Sequence, residues 1–452
     1  MNEIIKSHTF LRRFIALTLS FAVLAALILS MFHTIRTIAG TKQIINSIIL
    51  MFRSLVITPA AAMRTTYLLF SACVFLSKAS ASCTTDLDCS LNGDCVKGAC
   101  ICDPAWSASP QCDVLALKRQ PRNNGTFLGY KNQTAASWGG NVVFHDGVYH
   151  LFVAQMVGNC GLGQWGTNSK IVRAESSSPL GPFAYKQTII EPFAHNPTVR
   201  KLPNNSGFVL YMIGGTPSTP IDCSSSSTVE TTAPTTFSGS IRVSYASSVE
   251  GPWSKPELVF FTRSDGLYSS WTNPSPHIFP DGSAALAFQA HPKDTKHNWE
   301  MIGMATAANF SGPFAYTSPK PITPEQWYCV AGQDEDPFLW KSSRGYHIIT
   351  HGMCPAGIFQ AHYKFSRDGV TWYTSPRQTY EYKVYFEDNS FLMLPRVERP
   401  QLLFARHNST TGDFSNPVAL YNGVCTSLDC VLSCTKNPSS CRSFTLAREI
   451  HQ

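Results

Sequence analysis

Two short phrases recur in step along most of this chain, and their interleaving restricts the fold more than any other feature. One is Gly-Pro-aromatic: Gly181-Pro182-Phe183, Gly251-Pro252-Trp253, Gly312-Pro313-Phe314, and a degenerate Gly369 ahead of Trp372. The other is a residue before proline: Asn196-Pro197, Asn273-Pro274, Asp336-Pro337 and Arg399-Pro400. The first phrase follows β-like runs such as Ile241-Arg242-Val243-Ser244-Tyr245, and the second leads into a short alternating strand. Turn residues then precede a hydrophobic partner strand, as in Asn204-Asn205-Ser206-Gly207 before Phe208-Val209-Leu210-Tyr211. Asp281-Gly282, Ser343-Arg344-Gly345 and Asp146-Gly147 mark the same hairpin elsewhere. Five units of about 60 residues result, longer than a four-strand blade alone, so some loops must be long. The Ser-, Thr- and Pro-rich stretch 216–237 is one such loop. Antiparallel units repeated around an axis predict an all-β chain, a five-bladed β-propeller over residues 114–452. The prolines read as strand starts, where Pro is tolerated.

The net charge of +7 points toward nucleic acid only until it is located. Residues 1–81 carry eight basic groups and one acid, Glu3, which account for all of it. The body of the chain is neutral and offers no electrostatic footprint for a phosphate backbone, so no nucleic-acid partner is expected. The same N-terminal region holds two apolar stretches. Phe14–Phe32, with Arg12 and Arg13 before it, is about long enough to span a bilayer. Met63–Ala81 has a basic Arg64, an apolar run from Tyr67 to Leu76 and a small-x-small end at Ala79-Ser80-Ala81, the form of a secretory signal peptide. We expect residues 63–81 to be that signal and residues 1–62 to be an over-extended N-terminus, with a type II membrane anchor at 14–32 as the alternative. Either way the remainder is expected outside the cytosol, secreted or extracellular, with the membrane reached only through such an anchor.

Of the 15 cysteines, Cys73 falls in the expected signal and leaves an even 14. Six crowd into residues 82–113: Cys83, Cys89, Cys95, Cys100, Cys102 and Cys112. A segment so short cannot bury a core and must be cross-linked. The single-residue gap between Cys100 and Cys102 resembles the epidermal growth factor-like module. That resemblance implies the pairs Cys83–Cys95, Cys89–Cys100 and Cys102–Cys112. Ser80-Ala81-Ser82 stand where the module's calcium-binding variant needs acids, so no calcium is expected there. The module reads as a spacer, with a protein-binding role as the alternative. The other eight cysteines show no zinc-finger spacing and are expected to be oxidised, with Cys329–Cys354 the favoured pair and Cys160–Cys223 a secondary suggestion across two long loops. Sequons at Asn124, Asn132, Asn204, Asn309 and Asn408 are expected to carry glycans in an exported chain.

The Gly-Pro-aromatic and Asn/Asp-Pro phrases over residues 115–450 resemble glycoside hydrolase family 43 and its relatives, the five-bladed propeller glycosidases. The resemblance implies an Asp base in the first blade, an Asp in the third and a Glu acid in the fourth. Here the first blade has Trp138-Gly139-Gly140-Asn141 and the third Trp271-Thr272-Asn273-Pro274, amides where acids are expected. The fourth has Asp334-Glu335-Asp336-Pro337, and the fifth adds Val397-Glu398-Arg399-Pro400.

From the residues themselves, glycoside hydrolysis needs two carboxyls flanking one bond, roughly 5–5.5 Å apart for retention and 6.5–9.5 Å for inversion. Asp336 and Glu398 are the candidate pair, Asp336 ionised and Glu398 protonated or the reverse, with Glu335 and Asp334 close by. The bland alternative has Asp336 capping a turn and Glu398 paired with Arg399. Asn141, Asn196, Asn273, His195, His351, Trp138 and Trp271 are the candidate sugar-binding residues. His195, His291 and His351 read as equivalent positions able to bind hydroxyls or a central ion, and Trp165 and Trp327 as further aromatic surfaces. No phosphate loop, nucleophile elbow or H-E-x-x-H motif occurs, so no cofactor or metal is expected beyond that central ion. Two functions remain: a glycoside hydrolase acting on a polysaccharide or oligosaccharide, or a non-catalytic sugar- or protein-binding propeller with the small module as an adhesion element.

Overall fold

The computed structural model describes residues 83–122, 127–214, 218–224, 240–262, 268–292, 300–317, 321–322, 333–353, 359–426 and 442–452. Both apolar N-terminal stretches, Asn124, Trp327 and the Cys329–Cys354 pair lie outside them. Among the described residues no helix is long and apolar enough to cross a membrane.

Five four-stranded antiparallel sheets form the blades of a propeller. Their innermost strands are Ser137–His145, Ala194–Lys201, Tyr268–Ile278, Gln333–Ser342 and Arg396–His407, in blades one to five. The outermost strand of blade five is Gly129–Tyr130, which pairs with Phe444–Glu449. Blade five therefore takes one strand from before the first blade and three from the end of the chain. That pairing closes the ring and leaves no long free edge.

The X-Pro phrases do not start strands. In every inner strand the register with the second strand slips at this point: between Trp138 and Asn141, His195 and Thr198, Thr272 and Ser275, Glu335 and Phe338, and Glu398 and Gln401. These are β-bulges. The first bulged residue is left-handed in each: Gly139 (φ 65°), Asn196 (53°), Asn273 (47°), Asp336 (52°) and Arg399 (50°). The second is proline in four blades and Gly140 in blade one. A proline fits because the ladder is interrupted there and asks for no N–H. The strain of a non-glycine residue at positive φ, of order 1–3 kcal/mol each, is held by the surrounding ring.

The residue after each bulge ties blade to blade. Val199 N–H donates to Asn141 Oδ1 (2.8 Å), Thr198 Oγ1 donates to Pro274 O (3.1 Å), and Leu339 N–H donates to Ser275 Oγ (2.8 Å). The Gly-Pro-aromatic phrases do the same at the periphery. Phe183 packs edge-on to Tyr421 of blade five, Trp253 edge-on to Phe152 of blade one, and Phe314 against Phe261. Tyr421 and Tyr211 donate their hydroxyls to the carbonyls of Pro179 and Phe310, two residues before the next blade's glycine.

The N-terminal module is a small hairpin, Gly93–Val96 with Ala99–Cys102, held by Cys83–Cys95, Cys89–Cys100 and Cys102–Cys112. The module does not stand off as a spacer. Trp106, 2% exposed, lies 5.0 Å from the Tyr363 ring and 6.1 Å from that of Trp340. Asn92 donates to Tyr363 Oη (2.9 Å), and Arg344 pairs with Asp94 (2.9 Å) and Asp103 (2.8 Å). Module and blades four and five thus share one core. Cys160–Cys223 forms as expected, and Cys425 is also disulfide-bonded.

Candidate functional site

The bulges decide what meets at the axis. A left-handed residue turns its side chain off the strand's alternation, so Asn196, Asn273, Asp336 and Arg399 converge while Gly139 leaves a gap. Arg399 fills that gap: a Cβ on Gly139 would lie 2.4 Å from Arg399 Cδ. Arg399, fully buried, donates to Asp336 Oδ1 (3.0 Å) and to Pro197 O (3.2 Å), across the vacant first-blade position. Asn196 Nδ2 donates to Asn273 Oδ1 (2.7 Å) and to Asp336 Oδ1 (3.3 Å). Arg399 is thus paired with Asp336, not with Glu398. The partner of Glu398 is Arg396, whose Nε lies 2.8 Å from Oε1.

Residues just before the bulges make a second layer, comprising Trp138, His195, Thr272, Glu335 and Glu398. In blade four the second strand brings His351 opposite Glu335. The His351 ring is fully buried among three carboxyls: Nε2 is 3.5 Å from Glu335 Oε2 and 3.9 Å from Glu398 Oε2, and Nδ1 is 3.6 Å from Asp336 Oδ2. Because Glu335 and Glu398 share one nitrogen, their oxygens lie at most about 7.4 Å apart, below the ~9.5 Å upper limit for glycosidase pairs. Gln289 Nε2 donates to Glu335 Oε1 (3.2 Å), and Asn273 Nδ2 donates to Gln289 Oε1. Glu300, at the start of the third strand of blade three, is a fourth carboxyl beside Glu335.

The charge states separate strongly. Burial, then the Glu300 carboxyl, pushes Glu335 up to about 8. Burial pushes Glu398 up to about 7, against the pull of His351 and Arg396. Burial alone would lower His351, but Glu398, Asp336 and Glu335 around it raise it to about 9, so an imidazolium sits between the acids. Burial would raise Asp336 too, yet His351 and Arg399 hold it below the ordinary carboxylate range. The site therefore offers a fixed anion, a fixed cation and two carboxyls poised near neutrality. Glu335 is the most open of the three acids at 20% side-chain exposure, against 4% for Asp336 and 5% for Glu398. Glu335, Asp336 and His351 each offer one ligand atom within 4.8 Å of the others. Of these three, Asp336 already carries Arg399.

Several sequence candidates lie elsewhere. Asp334 points to the opposite side of the strand from Glu335, 2.6 Å from His362 Nδ1 and 2.7 Å from Lys364 Nζ, and also accepts from Thr350 Oγ1 (2.9 Å). Asn141 follows its bulge rather than forming it, and makes the blade-to-blade bonds already described, with a second to Gln401 Oε1 (3.3 Å). His195 is turned to blade one, hydrogen-bonded to Ser169 Oγ (2.7 Å) and stacked on Trp165, and burial lowers it to about 3. His291 lies opposite Ser270, two residues beyond Gln289, so Gln289 and not His291 is the counterpart of His351. Trp138 is core material with Ala154, Met156 and Leu162. Trp271 stacks on Phe261 and donates to Tyr316 Oη (2.6 Å) in the blade-three aromatic cluster. Arg396, Arg399, Gln289 and Glu300 escaped sequence reasoning. Arg399 and Gln289 carried usable signals: one fills the fourth X-Pro phrase, the other lies on the strand after the Asp281-Gly282 turn. Asn204, Asn309 and Asn408 are exposed and Asn132 is half-buried.

Comparison of the fold with solved structures finds propeller glycosidases. A family 117 glycoside hydrolase from the marine bacterium Zobellia galactanivorans is similar with a TM-score of 0.47 and 14% identity, over 74% of this chain and 89% of that one. An α-L-arabinofuranosidase from Lactobacillus brevis gives 0.47 and 12%, over 71% and 92%. The catalytic domain of the family 62 α-L-arabinofuranosidase of Coprinopsis cinerea gives 0.45 and 12%, over 74% and 95%. No protein-family model matches the chain, and no curated protein matches it.

Proposed function

We propose that this protein is an extracellular glycoside hydrolase acting on a polysaccharide or oligosaccharide, with Glu335 and Glu398 as its working pair. The observation that carries the reading is the placement of both carboxyls on one buried imidazolium, at most about 7.4 Å apart. Sequence reasoning pairs Asp336 with Glu398; the ion pair of Asp336 with Arg399 supports moving the first role to Glu335. Asp336 then serves as a fixed negative charge that keeps His351 protonated. Glu335, the more open group and the one raised further, donates its proton to the leaving glycosidic oxygen. Glu398, ionised in an appreciable fraction at neutral pH, faces the anomeric carbon as base or nucleophile. His351 balances the charge that moves between them. Four disulfides among the described residues fit an oxidising compartment.

The test is a hydrolysis screen of the secreted protein on plant, fungal and algal polysaccharides, run beside a glycan-binding array. Glu335→Gln and Glu398→Gln should each lose at least about a hundredfold in rate, the scale of a missing general acid or base, while folding is retained. Binding to glycans without hydrolysis would instead make the protein a non-catalytic carbohydrate-binding propeller, and full activity in either variant would remove this pair from the chemistry.

A further inference from the structure

The amide side chains at the axis form a directed relay, and its end point lies on Glu335. Asp336, ionised and paired with Arg399, can only accept. Asn196 must therefore turn its NH2 toward Asp336, and the same NH2 reaches Asn273 Oδ1. With its oxygen committed, Asn273 presents its own NH2 to Gln289 Oε1. Gln289 in turn can present only its NH2 to Glu335 Oε1, at 3.2 Å. All three amides are at least nine-tenths buried, so water does not compete for these bonds. The direction of the chain is thus set at one carboxylate and read out at another.

We propose that Gln289 is a positioning residue that holds the Glu335 carboxyl by Oε1 and so aims its other oxygen, Oε2, at His351. This rests on the hydrolase reading, in which Glu335 is the proton donor. Asn273 acts one step further back, by fixing which way the Gln289 amide faces. The amides at the second- and third-blade bulges thereby acquire a role: they orient a carboxyl.

Gln289→Met keeps length and volume and removes the donor; Asn273→Ala leaves Gln289 in place and frees its amide to turn. In the hydrolase assay, Gln289→Met should lower kcat about tenfold, the scale of one hydrogen bond to a working group, with KM within about twofold. Asn273→Ala should give a smaller loss in the same direction, and the two together should cost no more than Gln289→Met alone. A merely structural role would not produce that split or that lack of additivity. The second readout needs no substrate: the infrared C=O band of protonated Glu335, identified by its absence in Glu335→Gln, should move to higher wavenumber in Gln289→Met. An unmoved band in both variants, or unchanged kcat in both, overturns the assignment. If no polysaccharide is cleaved but the band moves, the relay stands and the hydrolase reading falls.

Discussion

Asp334 directly precedes Glu335 and Asp336 at the fourth bulge, yet its surroundings make it a structural ion, and this can be tested by a double-mutant cycle. Asp334 and Lys364 are each 1% exposed and 2.7 Å apart, with His362 and Thr350 on the other carboxylate oxygen. Burial opposes the charge on Asp334, but Lys364 and His362 hold its pKa far below the ordinary range. Asp334→Asn keeps shape and an acceptor for Thr350 but strands the Lys364 ammonium in the core. Breaking a fully buried pair from one side costs about 3–5 kcal/mol. Lys364→Met, which strands Asp334, should cost a similar amount. The double variant Asp334→Asn/Lys364→Met removes both charges and should recover at least about 2 kcal/mol relative to their sum, because paired desolvation is no longer incurred. The assay is urea unfolding with disulfides intact, followed by fluorescence at fixed pH. Activity per folded molecule in the double variant should stay within about threefold of the parent. Additive losses, or a single variant within about 1 kcal/mol of the parent, would show that the pair does not carry buried charge. A hundredfold loss of kcat in the stable double variant would return Asp334 to the chemistry.

Other outcomes follow from the same structure. The pH–rate profile should be a bell whose acid limb reflects Glu398 near about 7 and whose alkaline limb reflects Glu335 near about 8, the two values belonging to the coupled pair. Stability should fall on the alkaline side: His351, raised to about 9, contributes in full below its ordinary value and loses that contribution as pH rises through about 9. The raised Glu335 adds a loss in the same direction, so the melting temperature should drop between pH 6.5 and 9.5, and the drop should shrink in His351→Gln. Trp106→Ala should cost about 3–5 kcal/mol in a single cooperative transition, because the module shares its core with blades four and five; a separate low-temperature melt of the module would contradict that. Asn141→Ala leaves the Val199 N–H buried without its acceptor and should cost about 1–3 kcal/mol, with kcat per folded molecule unchanged.

The parts of this molecule legible in the sequence are those written in residue types with one dominant conformational use. Gly-Pro-aromatic and X-Pro phrases are such signals, and they gave five blades and their order. The same phrases misled by one step in detail. Proline lacking an N–H is equally at home at a strand start and inside a bulge, and nothing in Asn196-Pro197 alone separates the two. The difference sets the site. At a strand start the residue before proline would keep the alternation of its strand, whereas in a bulge it swings to the axis. Asn141, two residues after Gly139, therefore falls on the blade-to-blade side, and Gly139 takes the axial place. Once Gly139 is the first-blade member, Arg399 becomes intelligible: the fifth blade's long side chain occupies the volume the first blade leaves empty and supplies the cation that Asp336 needs. Second-strand residues were harder to read, since no phrase marks them. Gln289 and His351 are equivalent only through their pairing with Thr272 and Glu335, and that register depends on a bulge whose position the sequence leaves open. The charge pattern follows from packing in the same way. Four carboxyls in so small a volume cannot all ionise, and which of them keep protons depends on where Arg396, Arg399 and His351 lie, a three-dimensional arrangement that adjacency in Asp334-Glu335-Asp336 does not encode.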